Sequence, residues 1–245
     1  MKAAPEAQLR LLALADHDRR LAQLAKLESG LPERAVLDGI VAEQNAVRAD
    51  LGTTSGALED VRIELERTES DVAVVAARVV RDTERMMASS SAKDAAAFDH
   101  EIESLRKRQN DLEEIELAVM ERVEQHEAAV AEIRARLQAL DADAAEAEEA
   151  VKRALERIAA ERAEIAGARG AIVAELPADL VALYEKQRAR YGVGASLLRR
   201  GVSEASGFAL LADELATVKA AAPDDVLLCP SSEAILVRTT DESGL

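Results

Sequence analysis

The stretch LEDVRIELERTESDVAVVAARV (58–79) places aliphatic side chains at alternating steps of three and four residues. Charged residues fill most of the positions between Leu58, Val61 and Leu65, where the series begins. A heptad repeat of this kind gathers its apolar side chains on one stripe of an α-helix, which is typical of a coiled-coil seam. The same spacing continues in both directions, through Leu37, Ile40, Gln44, Val47, Leu51, Thr54, Thr68, Val72, Val75, Val79 and Met86. The repeat therefore predicts one long helix over 33–88.

A second repeat follows the polar stretch ASSSAKD (88–94), which is typical of a turn. It begins at Phe98, ends near Ile172 and predicts a helix over 94–175. Because the two repeats are arranged about one turn, we expect the two helices to pair as an antiparallel hairpin.

A third helical segment, 5–29, lies at the start of the chain and ends where Gly30 and Pro32 interrupt the pattern. The long helix exceeds its partner, so its last part, 151–175, needs another covering helix. We expect 5–29 to lie against that part, end to end with 33–88. A compact three-helix bundle is the alternative.

The composition favours such a thin helical architecture. The chain has 245 residues, of which 2% are aromatic and 32% charged, and it contains no Trp. Aromatic side chains supply much of the buried area of a wide core, so their scarcity argues against a globular enzyme fold. The fold class predicted is mainly α, a long antiparallel coiled-coil helical hairpin with a small C-terminal α+β module that resembles a zinc ribbon.

Charge and cysteine content restrict the partners and the location. The net charge of −16 repels nucleic acid over most of the surface, and a single cysteine excludes an internal disulfide framework. No apolar run has the length of a signal-peptide core or a membrane span. We therefore expect a cytoplasmic protein with no membrane partner, as a monomer or a weak dimer.

The helical pattern changes after Leu176 and Pro177. The sequence predicts three regions, namely a helical hairpin over 1–176, a basic neck over 177–202 and a compact module over 203–245. The neck begins with a short helix, and its second half, VGASLLRRGV (193–202), is interpreted as a connector. The module is expected to contain a helix in LADELATVKAAA and two strands, VLL and AILVR, around Cys229.

The neck holds the candidate binding residues. Tyr184 and Tyr191 alternate with basic side chains in this otherwise acidic chain, which favours contact with an acidic protein or a phosphate backbone. The alternative is that these side chains pair with acidic residues of the adjacent module. The candidate partner-binding residues are Lys186, Arg188, Arg190, Arg199 and Arg200.

Two further features bear on function. No phosphate-binding loop, nucleophile elbow or clustered acid–base pair occurs, so we predict neither enzymatic activity nor a cofactor. Gly52 and Gly56 lie inside the predicted second helix, where each glycine costs up to about 1 kcal/mol relative to Ala. They mark either a curved, loosely packed stretch or a hinge.

Three stretches carry a resemblance that spans essentially the whole chain. They are HEIESLRKRQNDLEEIELAVMER (100–122), LYEKQRARYGVGASLLRRGVSEAS (183–206) and DDVLLCPSSEAILVR (224–238). In this order they resemble the bacterial four-cysteine zinc-ribbon coiled-coil family, a domain of unknown function, and its actinobacterial members in particular. The resemblance implies a non-enzymatic adaptor that mediates protein interactions. A nucleic-acid-binding regulator that uses the basic neck is the alternative, because family members are associated with regulatory contacts and with RNA.

The resemblance also places four metal-ligand positions at Ser203, Ser206, Cys229 and Ser232. The spacing of two, 22 and two intervening residues is preserved, but three of the four thiols are replaced by hydroxyls. A serine hydroxyl does not ionise near neutral pH and cannot replace a thiolate on structural Zn²⁺. The sequence therefore predicts a degenerate zinc ribbon that binds no metal.

Overall fold

The computed structural model describes residues 1–239, so the end of the predicted module, 240–245, lies outside the described residues. The predicted fold class is confirmed, because long paired helices are followed by a small module with short strands. None of the helices within 1–239 combines the length and the apolar character needed to cross a bilayer. In chain order the elements are α1 Pro5–Ser29, α2 Pro32–Ala88, α3 Ala92–Glu175, α4 Ala178–Tyr191, β1 Ala195–Arg199, β2 Val202–Ser203, α5 Ala212–Ala220, β3 Leu227–Leu228 and β4 Ile235–Val237.

The first three helices begin and end within two residues of the positions expected from the two repeats. By its internal contacts the chain forms two compact units. One unit is residues 33–149, which hold most of α2 and the first part of α3. The other unit combines residues 1–32 with the chain that follows residue 149.

In the first unit α2 pairs with α3 through the heptad positions. Val61 is 4% exposed, and Val119 on α3 is 2% exposed. The side-chain amide of Gln44 is also buried in the seam, where its Nε2 donates to the carbonyl of Leu140 at 3.2 Å and to Asp141 Oδ1 at 2.8 Å. Ion pairs join the start of α2 to residues near 140 of α3 and the end of α2 to residues near 100, which shows that the pairing is antiparallel. They are Glu43–Arg136, Arg48–Asp141, Arg62–Glu127, Glu64–Arg122 and Arg78–Glu101.

The second unit has its own apolar clusters. Leu24 of α1 packs with Ala154 and Ile158 of α3. The first helix thus covers the last part of α3, as expected from the helix lengths. A further cluster joins α1 and α4 to the sheet, and its fully buried members are Leu11, Leu14, Leu180, Tyr184, Ile235 and Val237.

A four-stranded sheet forms the centre of the C-terminal module, in the order β2-β1-β4-β3. The central strands β1 and β4 are parallel, and each outer strand is antiparallel to its neighbour. The predicted hairpin around Cys229 is present as β3 and β4. On one face of the sheet Leu198 and Leu236 pack with Val218 of α5.

The interpretation of 193–202 as a connector is wrong. This stretch contains β1, a central strand in which Ala195–Leu198 are all buried, and β2. A strand covered on both faces lacks the apolar–polar alternation that marks a half-buried strand, and this one also lacks β-branched residues. Gly194 before the strand and the pair Arg199–Arg200 at its end are residues typical of a loop, which is why the sequence is interpreted as one.

Gly194 is the residue on which the packing of this strand against α4 depends. A Cβ at position 194 would lie 2.5 Å from Cδ2 and 2.7 Å from Cζ of the fully buried Tyr184 ring. We predict that Gly194→Ala lowers the free energy of unfolding by about 1–3 kcal/mol, because the ring has to move. Thermal and urea unfolding, followed by circular dichroism, measure this change.

Gly167→Ala is the matched control in the same unit. Gly167 is an exposed residue of α3, and a Cβ added there would meet no neighbouring group within 4 Å. Alanine at this position should therefore stabilise the protein by up to about 1 kcal/mol. Equal effects of the two substitutions would contradict the packing argument.

Candidate interaction site

The carboxylate of Asp18 on α1 is the centre of a buried polar network in the second unit. Its side chain is 8% exposed. Arg169 Nε of α3 donates to Asp18 Oδ1 at 2.7 Å, and the Tyr184 hydroxyl of α4 donates to Oδ2 at 2.6 Å. Arg188 Nη1, also on α4, donates to Oδ1 at 3.1 Å. One side chain therefore links three helices.

Glu185 closes the network on its outer side. Arg169 Nη2 donates to one carboxylate oxygen of Glu185, and Arg188 Nη2 lies 2.8 Å from the other. Both guanidinium groups are thus shared between the two carboxylates. The arrangement holds the two arginines in place and leaves Arg188 little freedom to reach a partner.

The pKa values follow from this geometry. Burial raises the pKa of the Asp18 carboxyl, but hydrogen bonds from Arg169 and Tyr184 and the charges of Arg169 and Arg188 outweigh burial, so its pKa lies below the ordinary value. Burial and the bond to Asp18 raise the pKa of Tyr184. Asp18 is therefore ionised and Tyr184 is protonated at neutral pH.

A cleft of about 820 Å³ lies beside the network, between α1, the end of α4 and β1. Small residues such as Ala15, Gly194 and Ala195 form much of its wall. Its charged rim consists of three arginine–carboxylate pairs, which are Arg19–Asp16, Arg188–Asp18 and Arg199–Glu204. The three positive charges equal the three negative ones, so the lining of the cleft is close to neutral.

The structure separates the five cations that the sequence grouped together. Arg188 points into the Asp18 network, and Arg199 pairs with Glu204 at 3.1 Å. Lys186 and Arg190 are exposed on α4, and Arg200 is exposed at the turn between β1 and β2, with φ of 49°.

Sequence reasoning missed the roles of Asp18 and Glu185, whose carboxylates hold Arg188, and of Arg169, which shares both carboxylates with it. No short-range signal could reveal the contact between Asp18 and Arg169, because 151 positions separate them. The expected pairing of neck cations with acids of the module is found for Arg199, whereas Arg188 pairs with acids outside the module.

The four positions that the resemblance assigns to metal ligands lie in two loops of the same design. In the first, the Gly207 N–H donates to the Ser203 carbonyl at 2.8 Å, and Gly207 has φ of 72°. In the second, the Glu233 N–H donates to the Cys229 carbonyl at 2.8 Å, and Glu233 has φ of 59°. Each loop closes four residues after its first ligand position with a left-handed residue.

Three of the four side chains meet. Burial raises the pKa of the Cys229 thiol, but the neighbouring hydroxyls of Ser203 and Ser232 and the nearby amides of Ser232 and Ser231 lower it below the ordinary value. Both hydroxyls are buried, and neither has a hydrogen-bond partner among the described residues. Ser206 instead accepts a bond from the Phe208 N–H at 3.2 Å. Within residues 1–239, no three His, Cys, Asp or Glu side chains are placed to hold a metal ion.

We predict that Asp18→Asn lowers the free energy of unfolding by about 1–3 kcal/mol at neutral pH, because the partly buried guanidiniums lose their anionic acceptor. The ordinary pKa of the carboxyl is 3.8, and the folded value is lower. Its stabilising contribution is therefore present above pH 3.8 and lost as the pH falls through the folded pKa. The difference between wild type and variant should shrink in acid, as measured by urea unfolding across pH.

Asp16→Asn is the control for this prediction. Asp16 lies on the same helix, but its side chain is 67% exposed and pairs with Arg19 alone. An exposed pair contributes less than about 1 kcal/mol, so this variant should unfold almost as the wild type does. A loss of stability in Asp16→Asn as large as that in Asp18→Asn would argue against a special role for the network.

Comparison with known proteins gives relatives along the whole chain. An uncharacterized protein of Mycobacterium tuberculosis, known from strains CDC 1551 / Oshkosh and H37Rv, is 39% identical over 242 residues, which cover 97% of this chain and 98% of the relative. A solved structure from Mycobacterium smegmatis is 37% identical with a TM-score of 0.86, and the match covers 97% of this chain and 100% of that one.

A more distant solved structure shares the fold. CT398 from Chlamydia trachomatis is 15% identical with a TM-score of 0.64, over 96% of this chain and 98% of that chain. The family description "CT398-like coiled coil hairpin domain" matches residues 14–192. The protein belongs to the family of CT398-like coiled coil hairpin domains.

Proposed function

We propose that this protein is a non-enzymatic adaptor whose α4 helix binds an acidic surface of a partner protein. The observation that carries the proposal is the exposure of Lys186 and Arg190 on α4 in a chain with a net charge of −16. Residues four apart on a helix lie on the same side, so the two cations form one positive strip. Within residues 1–239 neither has an acidic partner.

The contacts of the other cations narrow the site. Arg188 and Arg199 are engaged with carboxylates, so the proposal rests on Lys186, Arg190 and Arg200. The acidic faces of the long helices repel an acidic partner and leave α4 as the favourable place of contact. A local reversal of charge of this kind increases association rate and specificity more than it increases affinity.

A second candidate, nucleic-acid binding, is favoured by one contact on the same helix. The guanidinium of Arg190 lies 5.2 Å from the centre of the Tyr191 ring, and Tyr191 is 42% exposed. An exposed ring beside a cation is the combination that stacks on a base and contacts a phosphate. A single ring and a strongly acidic remainder make this candidate the weaker one.

We expect Lys186→Glu, Arg190→Glu and Arg200→Glu, made together, to abolish recovery of partners from native cytosol while leaving the melting temperature nearly unchanged. Arg188 and Arg199 stay intact, so that loss of binding is not caused by loss of structure. The matched control reverses three exposed cations of α3, by Arg106→Glu, Lys107→Glu and Arg108→Glu.

Nuclease treatment separates the two candidates. Recovery that survives nuclease and disappears only in the α4 variant supports a protein partner. Recovery lost on nuclease treatment, with retardation of generic RNA or DNA in gels, supports the nucleic-acid regulator. Equal recovery by the wild type and the α4 variant would contradict both.

We further infer that the C-terminal module is a zinc ribbon that has kept its two ligand loops and lost its metal. The matching bonds that close the loops at Gly207 and Glu233 support this inference, as does the meeting of Ser203, Cys229 and Ser232. The residues present do not fit Zn²⁺, because a structural site requires four ionised or imidazole ligands and this one offers a single thiol.

The triple change Ser203→Cys, Ser206→Cys and Ser232→Cys should create a site that binds one zinc ion per chain, because the loops already have the required spacing. Zinc measured by atomic emission in purified protein should be stoichiometric in the variant and absent from the wild type. A chelator should lower the melting temperature of the variant alone.

The control places three cysteines at exposed and separated positions, Ser70, Ser90 and Ser104. This variant should hold no stoichiometric zinc. One zinc per chain in the wild type, or none in the variant with cysteines in the loops, would refute the inference.

A further inference from the structure

The two edges of the C-terminal sheet differ in how they are covered. Beside β3, the Val226 N–H donates to the Met1 carbonyl at 3.1 Å, and the Ala3 N–H donates to the Asp224 carbonyl at 2.8 Å. Lys2 Nζ adds an ion pair with Asp224 at 2.9 Å. The first residues of the chain therefore cover this edge as an additional short strand.

The opposite edge is extended by Phe208–Leu210 and ends there. Ala209 forms an antiparallel bridge with Val202 of β2. The Ser203 N–H donates to the Phe208 carbonyl at 3.1 Å, and the Leu210 N–H donates to the Gly201 carbonyl at 2.8 Å. These bonds point the backbone groups of residues 208 and 210 inward, so the N–H and C=O of Ala209 point outward. Among the described residues neither group of Ala209 has a partner.

Large apolar side chains flank this open position. Phe208 is 71% exposed and Leu211 is 65% exposed. Phe208 is one of only two Phe residues in the chain, and a protein with so few aromatic residues leaves this one almost entirely in water. Exposed apolar side chains beside an unpaired edge mark a place where another strand adds.

We propose that a second copy of this chain covers this edge, in an antiparallel pairing whose twofold axis passes between the two Ala209 residues. Paired in this way, each Ala209 N–H donates to the Ala209 carbonyl of the other copy, so that all four outward groups are satisfied. The pairing closes on itself and continues no further, as an isologous contact does.

The side chains on either side of Ala209 complement each other in this register. Phe208 of one copy lies opposite Leu210 of the other, on the same face of the sheet, which forms an aromatic–aliphatic cross-strand pair. Leu211 lies opposite Gly207, which has no side chain to obstruct it. Both contacts occur twice, once on each side of the axis.

The ends of the edge limit its length and favour this single closed pairing. The Gly207 N–H donates to the Ser203 carbonyl at 2.8 Å, and the Leu211 N–H donates to Glu214 Oε2 at 2.8 Å. The groups that would prolong a ladder are thus already used, so a longer strand of another protein gains no further backbone bonds.

The expected affinity is low. Burial of Phe208 and Leu211 removes on the order of 300 Å² per copy, well below the roughly 800 Å² per partner of a standard interface. Because the contact is smaller than that of the standard-size complexes, we expect a dissociation constant on the order of 0.1–1 mM. This dimerisation does not depend on the proposed adaptor function, because Lys186 and Arg190 lie on α4 and Arg200, although next to Gly201, takes no part in the pairing.

The salt dependence of this dimer has a definite sign. Two chains with a net charge of −16 repel each other, and salt screens that repulsion. Association through an apolar edge should therefore strengthen as salt rises. Association of the α4 cations of one copy with acidic helices of another would weaken instead.

Sedimentation equilibrium of the full chain, from about 10 µM to about 1 mM, tests the proposal in the range where such a contact is populated. The wild type should change reversibly from monomer to dimer. Phe208→Ser removes the main apolar contact, and Ala209→Pro removes the outward N–H without touching a bond within the chain. Each should weaken dimerisation by about tenfold or more, which corresponds to about 1.4 kcal/mol.

Leu117→Ser is the matched control, because Leu117 is a 62% exposed apolar residue of α3 far from this edge in sequence. It should dimerise as the wild type does, and all variants should melt as monomers at the same temperature. A chain that stays monomeric at every concentration overturns the proposal. So does a dimer that Phe208→Ser and Ala209→Pro leave intact, or one that dissociates as salt rises.

Discussion

The burial of small aliphatic side chains along a single seam is the constraint on which the long helices depend. Helices in proteins owe most of their stability to tertiary packing, and α2 and α3 supply it to each other at positions such as Val61 and Val119. Aliphatic seams are permissive about register, so polar groups have to define it. Gln44 does this, because its buried amide is satisfied only where the Leu140 carbonyl and the Asp141 carboxylate lie opposite.

In the other unit a single carboxylate takes the corresponding role. Asp18 accepts bonds from side chains of α3 and α4, and its cost of burial is offset only while all of them are present. This requirement fixes how α4 lies on α1. Arg188 therefore has a structural role, because it is one of the donors to Asp18. Fewer neck cations are therefore exposed without a carboxylate partner among the described residues than the sequence indicates, namely Lys186, Arg190 and Arg200.

Features that depend on residues close together in the chain are predicted from the sequence, and features that depend on distant residues are not. Helices α1 to α3 follow from periodicities that persist over many turns, so local errors average out. β1 is only five residues long, and its buried character comes from helices and strands distant in the chain. The Asp18–Arg169 contact has no local cause at all. The meeting of Ser203 with Cys229 was accessible only because the spacing of a known ligand pattern survives.

The C-terminal module contains charge-assisted and backbone contacts that fix the segment between α5 and β3. The guanidinium of Arg238, after β4, donates to a group of backbone carbonyls at the end of α5 and in the following loop, those of Val218, Ala221, Ala222, Pro223 and Asp225. Charge-assisted bonds of this kind are stronger than neutral ones and also satisfy the carbonyls that a helix end leaves unpaired. On the opposite side of the loop, the first residues of the chain pair with Asp224 and Val226. The segment between α5 and β3 is therefore fixed from two sides, next to the loop that holds Cys229.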